Sequence, residues 1–139
     1  LGPLFWIEDP DARILGQAAL SQGRNVPGMG VKTFPEWTSI HVAVPDIPAP
    51  ILRGLARFAG VHLFSDAGDV LYASPDLLAV HTVAGGKRTF HLPGRVEAVH
   101  DLFAGKTIAR NTASFTVSLA PRSTEFWYCG RAGFIGKEI

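Results

Sequence analysis

Residues 58–69 read FAGVHLFSDAGD and gather His62, Ser65, Asp66 and Asp69 within eight positions. A serine nucleophile, a histidine base and an aspartate to orient it are the parts of a hydrolytic triad, so this stretch is the first candidate for chemistry. Its spacing argues otherwise. In an extended chain Val61 and Leu63 face one side and His62 and Phe64 the other. Ser65-Asp66-Ala67-Gly68-Asp69 then has the make-up of a turn, in which Ser and Asp cap backbone amides. Triads draw their members from distant segments and hold the nucleophile on a strained elbow, commonly G-x-S-x-G, whereas Ser65 sits in F-S-D. A small hydrolase built on His62, Ser65 and Asp66 is therefore set aside, and no catalytic residue is expected. Asp66 and Asp69 also lack the further oxygen ligands that calcium demands.

Other reactive side chains fare similarly. Gly85-Gly86 reads as a two-residue hairpin loop, pairing Ala84 with Lys87 and His81 with Phe90. His91 then faces Val80, and the His81 and His91 rings leave opposite faces of the ribbon, where they cannot share a metal. His41, His62 and His100 lie in other strands with no carboxylate or cysteine at ligand spacing, so no metal and no cofactor is expected. The lone Cys129 excludes an internal disulfide and a thiolate zinc site. Glycoside hydrolysis needs two facing carboxylates, yet Glu8, Glu36, Glu97, Glu125 and Glu138 are each isolated. Aromatic rings remain: Trp37, Tyr72 and Trp127 could stack on sugar rings, with Asp66, Asp69 or Arg88 as hydrogen-bonding partners. In EFWYC, Phe126 and Tyr128 share one strand face and Trp127 the other, so one set must leave the local core.

These side chains need elements to position them. LFWI near the N-terminus is a short apolar run, ARILGQAAL after the EDPD turn reads as a strand or a short helix, and QGRNVPGMG (22–30) reads as a loop on its Gly, Pro and Asn content. VKTF (31–34) and WTSIHVAV (37–44) are β-rich neighbours. In IPAPILRGLARFAG, Pro48 and Pro50 suit a first helical turn. Ile51, Leu52, Leu55 and Phe58 recur at helical spacing, and Gly60 stands at the stop. With VHLF beyond it, 37–64 reads as strand, crossover helix and parallel strand, a βαβ unit. After Ser65, short β-runs alternate with turns, as in an antiparallel sheet or sandwich. The fold class expected is α+β, with residues 1–64 a partial α/β segment and 65–139 an antiparallel β-domain.

With 139 residues, of which 47% are apolar, the chain can bury a core. Thirteen Lys and Arg against twelve Asp and Glu leave a net charge of +1 and no basic cluster, which argues against a nucleic-acid partner. No apolar run reaches the roughly 18 residues that span a bilayer, so no membrane partner is expected and a soluble, cytoplasmic setting is favoured. A mean hydropathy of +0.18 and an opening on Leu1 suggest a piece of a larger protein. Its surplus apolar surface would face a neighbouring domain or an identical subunit, with Trp6, Trp37, Phe58, Phe64 and Trp127 as the expected interface residues.

Two motifs carry a resemblance. WTSIHVAVPDIPAPILRGLARFAGVHLFSD and the pattern VHDLFAGKTIAR…FTVSLAPRSTEFWY, within residues 29–130, resemble the C-terminal end of large bacterial β-galactosidase-like glycoside hydrolases. In that family a catalytic (β/α)₈ barrel is followed by an amidotransferase-like α/β trimerisation domain and a small antiparallel β-domain. The resemblance implies a non-catalytic accessory region for domain packing and oligomerisation, because the family's catalytic glutamates lie on a barrel that is absent here. It also implies that the α/β part is incomplete, with strands supplied by another chain or lost to truncation, and that open strand edges would seek partners. A stand-alone carbohydrate-binding module is the alternative.

Overall fold

In the computed structural model, which describes residues 4–134, the first three strands are Arg13–Ala19 (β1), Asn25–Thr33 (β2) and Thr38–Val42 (β3). They pair antiparallel in the order β1-β2-β3, so VKTF and WTSIHVAV do contribute adjacent strands. The surprise is β2. Residues 22–30, expected as a loop, supply most of this central strand. The glycines serve close approach rather than turning: a Cβ on Gly28 would lie 2.7 Å from the Ala18 Cβ and 2.8 Å from its amide nitrogen. Pro27 is tolerated because it sits beside a bulge, where the β1 register slips between Gly16 and Gln17.

The single α-helix among the described residues, α1, runs Ala49–Phe58 as expected. It ends in a Schellman motif: Gly60 (φ 71°) donates its N–H to the Arg57 carbonyl at 3.0 Å, and Val61 donates to Ala56 at 2.8 Å. The crossover unit does not form. Val61–Phe64 joins neither sheet, and its backbone is held to strand structure by one bond, from the His91 N–H to the Phe64 carbonyl at 2.8 Å. β3 pairs antiparallel with β2, and no residue of α1 is buried. Helical spacing of apolar residues specifies an amphipathic helix, but not a parallel sheet beneath it.

The remaining strands are Val70–Ala73 (β4), Leu77–Thr82 (β5), Gly86–Asp101 (β6), Lys106–Leu119 (β7) and Ser123–Gly130 (β8). They form one antiparallel sheet in the order β4-β5-β8-β6-β7. The chain thus gathers into two units, Leu1–Leu52 and Arg53–Ile139, each with its own sheet. Residues 53–64, grouped by sequence with the N-terminal segment, fall in the second.

The Gly85-Gly86 hairpin is also corrected. β5 pairs with β8, Leu77 opposite Tyr128 and His81 opposite Thr124, and not with β6. Gly85 (φ 67°) instead carries the chain over the β7–β8 turn, where a Cβ would meet the Pro121 nitrogen at 2.6 Å. Thr82 accepts the Gly85 N–H at 3.0 Å, and Val83 accepts from Arg122 at 3.1 Å, fixing this crossing. Strand β6 continues through Pro93-Gly94 and β7 through Asn111. Between His91↔Ser114 and Val96↔Thr112, β6 advances five residues against two on β7, a bulge that bends the strand. The bend brings Phe90, Leu92 and Val99 of β6 onto one core with Leu78, Val80, Phe115, Leu119, Trp127 and Cys129.

Candidate functional site

The turn after α1 is pinned by charge. Arg57, in the last turn of the helix, pairs with Asp66, while Arg88 of β6 donates from Nε to Asp69 Oδ2 at 2.6 Å. The first pair is exposed and contributes little to stability. The second is sheltered, its Arg88 and Asp69 side chains only 20% and 10% exposed, and the Arg88 hydrogen bond holds the Asp69 carboxyl below the usual carboxylate value. This fixes where His62, Ser65 and Asp69 stand.

No triad results. His62 Nε2 lies 2.8 Å from the His91 carbonyl oxygen, the Ser65 hydroxyl accepts the Ala67 N–H at 3.2 Å, and Asp66 faces Arg57. Neither the serine nor the aspartate is hydrogen-bonded to the imidazole. What the segment builds is a cleft of about 270 Å³. Arg53, His62, Ser65 and Asp69 line it over an apolar floor that includes Phe64 and Leu71.

The aromatic candidates separate by burial. Trp127 is 1% exposed and packs against Phe90 and Phe115, with ring centroids 5.1 and 5.3 Å away. It is core, so both the stacking role and the interface role expected of it fall. β8 is the middle strand of its sheet, with Tyr128 buried at 6% exposure and stacked on Phe134, so both faces of EFWYC are covered. Phe64 is half-buried against the same core. Trp6, Trp37, Phe58 and Tyr72 are exposed. Trp37 stacks on Phe34 across the β2–β3 turn, 4.2 Å apart and 11° from parallel, and Lys32 lies over the Phe34 ring. Lys32 is itself bonded to Asp9 at 2.6 Å and stands 3.5 Å from Asp11, so charged groups cluster beside this platform. Sequence reasoning missed Phe34 as the support of Trp37, although a four-residue turn closing Phe34 onto Trp37 is a signal it could have used.

Trp6 donates to Glu8 at 3.0 Å, Glu97 accepts the Ala132 N–H at 2.9 Å, and Glu138 lies outside the described residues. Among the described residues no three His, Cys, Asp or Glu side chains gather as a metal site, and no helix is long and apolar enough to cross a membrane. Cys129 is buried, and desolvation, helped by Asp76, pushes its thiol up to about 11.

No family model matches the chain, and no curated protein matches it either. Among solved structures, the β-galactosidase from Bacillus circulans sp. alkalophilus shares the fold over 86% of this chain, with a TM-score of 0.55 and 21% identity. The present chain spans 18% of the length of that one. The architecture described above is therefore a fold that also occurs as part of a bacterial β-galactosidase.

Proposed function

We propose that this chain is a non-catalytic accessory region of a β-galactosidase-like glycoside hydrolase, drawn from the C-terminal part of such an enzyme, with residues 1–64 the end of an amidotransferase-like domain and 65–139 a β-domain. Its role is packing against the remainder of a larger hydrolase chain or against identical subunits. The observation that carries this reading is the fold likeness, which takes in most of this chain and under a fifth of the β-galactosidase. Supporting it, α1 has a strongly apolar face with no buried residue, and Phe58 on it is 58% exposed. Surface of that kind favours a protein partner.

The coding sequence upstream of Leu1 tests the reading directly. An open frame encoding a barrel with two facing glutamates is expected, and a start codon immediately before Leu1 would overturn it. A hydrodynamic test runs beside it: Phe58→Asp should leave folding intact and weaken association with the upstream portion or with a second copy.

The alternative, a stand-alone carbohydrate-binding module, is favoured by one feature, the Phe34–Trp37 platform with Lys32, Asp9 and Asp11 beside it. Trp37 belongs to the first unit and Tyr72 to the second. Because Trp127 is buried, quenching of indole emission by millimolar galactosides would report on Trp6 and Trp37. No quenching would sink this alternative.

A further inference from the structure

We infer that the cleft beside the 62–69 segment binds a neutral, polyhydroxylated ring of hexopyranose size. Every lining residue belongs to the second unit, so the site needs nothing from the first.

The hydrogen-bonding capacity of the rim can be worked out group by group. The His91 carbonyl can only accept, so His62 Nε2, 2.8 Å from it, carries the proton. In the neutral imidazole Nδ1 is then a bare acceptor. The Ser65 oxygen accepts from the Ala67 amide, which leaves the hydroxyl proton to donate outward. Asp69 is kept ionised by Arg88 and retains lone pairs beyond those bonded. Arg53 lines the cleft, and a guanidinium can only donate. The rim therefore presents two donors, Arg53 and Ser65, and two acceptors, His62 Nδ1 and Asp69.

That mixture selects the ligand class. An anion drawn to Arg53 would meet the Asp69 carboxylate and the imidazole lone pair. A cation drawn to Asp69 would meet the guanidinium groups of both Arg53 and Arg88. A hydroxyl both donates and accepts, and a ring carrying several satisfies all four groups at once. The floor suits the other side of such a ring: Phe64 and Leu71 present apolar surface to its C–H face. Pockets for drug-sized ligands run to about 300–1,000 Å³, so a cleft of about 270 Å³ fits a single ring rather than an oligosaccharide. The sheltered Arg88–Asp69 pair holds the segment in place, so little ordering accompanies binding.

This inference is separate from the Trp37 platform and does not rest on the accessory-region reading. Its test is titration of the ¹⁵N-labelled 139-residue chain with D-galactose, D-glucose and, as an anionic ring of the same size, D-glucuronate. Saturable shifts at the amides of residues 62–71 are expected with at least one neutral sugar in the millimolar range, and weaker ones with glucuronate. Arg53→Ala and Ser65→Ala should each loosen that sugar roughly threefold or more, the share of one hydrogen bond, while the rest of the spectrum stays in place. The inference is overturned by the absence of saturable shifts into the high millimolar range, by shifts confined to Trp37 and its neighbours, by glucuronate binding more tightly than both neutral sugars, or by both variants binding as the parent does.

Discussion

Truncating Trp127 separates its role in the core from the surface role its sequence context suggests. A buried indole hides up to about 250 Å², and at about 25 cal/mol per Å² its transfer to water costs roughly 6 kcal/mol. Compactness of the unfolded chain trims this by roughly 10–40%, to about 4–5 kcal/mol, in line with the roughly 3–5 kcal/mol typical of Trp→Ala in cores. Trp127→Ala should therefore remove about 4 kcal/mol, a large share of the roughly 5–15 kcal/mol that holds a domain together. Trp127→Phe sets two effects against each other. It leaves a small void, costing about 1–2 kcal/mol. It also deletes Nε1, which is buried without a hydrogen-bond partner among the described residues, and so recovers about 1–3 kcal/mol of desolvation. Its net effect should lie between about 2 kcal/mol of stabilisation and about 1 kcal/mol of destabilisation. Urea unfolding followed by far-ultraviolet circular dichroism reads all three states without relying on the indole itself. Trp37→Ala, on an exposed ring, serves as the control and should shift stability by no more than about 0.5 kcal/mol. A Trp127→Ala cost no larger than that of Trp37→Ala would refute the core assignment, and a Trp127→Phe cost equal to that of Trp127→Ala would refute the unpaired N–H.

Three further outcomes follow from the geometry. Asp69 is held below the ordinary carboxylate value of 3.8 in the folded chain, so its ion pair stabilises fully above that pH and fades as pH falls through the lowered value; the stability gap between the parent and Asp69→Asn should be widest at neutral pH and close in strong acid, as read by urea melts across that range. Gly28→Ala should destabilise the β1-β2-β3 sheet by roughly 1–3 kcal/mol, visible as faster amide exchange in β1 and β2, because its Cβ has no room beside Ala18. With its thiol pushed up to about 11, Cys129 should resist iodoacetamide at pH 8 in the folded chain and react once urea exposes it; alkylation at the rate of a free thiol before unfolding would count against this burial.

Local patterns were legible where local physics decides. The helix with its Gly60 stop, the β3 strand and the antiparallel run after Ser65 all follow from spacing, capping and β-branched content. Two failures share a cause. Gly28 and Gly85 were read as turn formers, yet each is required by a chain that arrives from elsewhere, Ala18 across the sheet and Pro121 beneath the crossing. A single sequence does not carry that approach. The βαβ expectation failed similarly, since an amphipathic helix announces an apolar face but not what covers it. Alternation distinguishes the two faces of a strand without saying which is covered, and in β8 a side chain on each face, Trp127 and Tyr128, is buried. In the cleft, the four polar residues come from positions 53 to 69, close enough for sequence to collect most of them. The donors and acceptors they present depend on the His91 carbonyl and on Arg88, contributed from a distant strand.

The place of β8 bears on how the second unit is made. Hairpins β4–β5 and β6–β7 join near neighbours in the chain and can zip as soon as each has emerged. They never pair with each other: the ladders linking them run from β5 to β8 and from β8 to β6. A nascent chain that has not yet reached Ser123 thus holds two loose ribbons with Leu78, Val80 and Phe90 uncovered, and the last strand must thread between them. The β5–β8 ladder joins residues roughly 40–50 positions apart, the kind of long-range pairing that generally forms slowly and leaves apolar surface open meanwhile. Feeding β8 as a separate peptide to a chain stopped at Arg122 is the natural way to watch the clasp close.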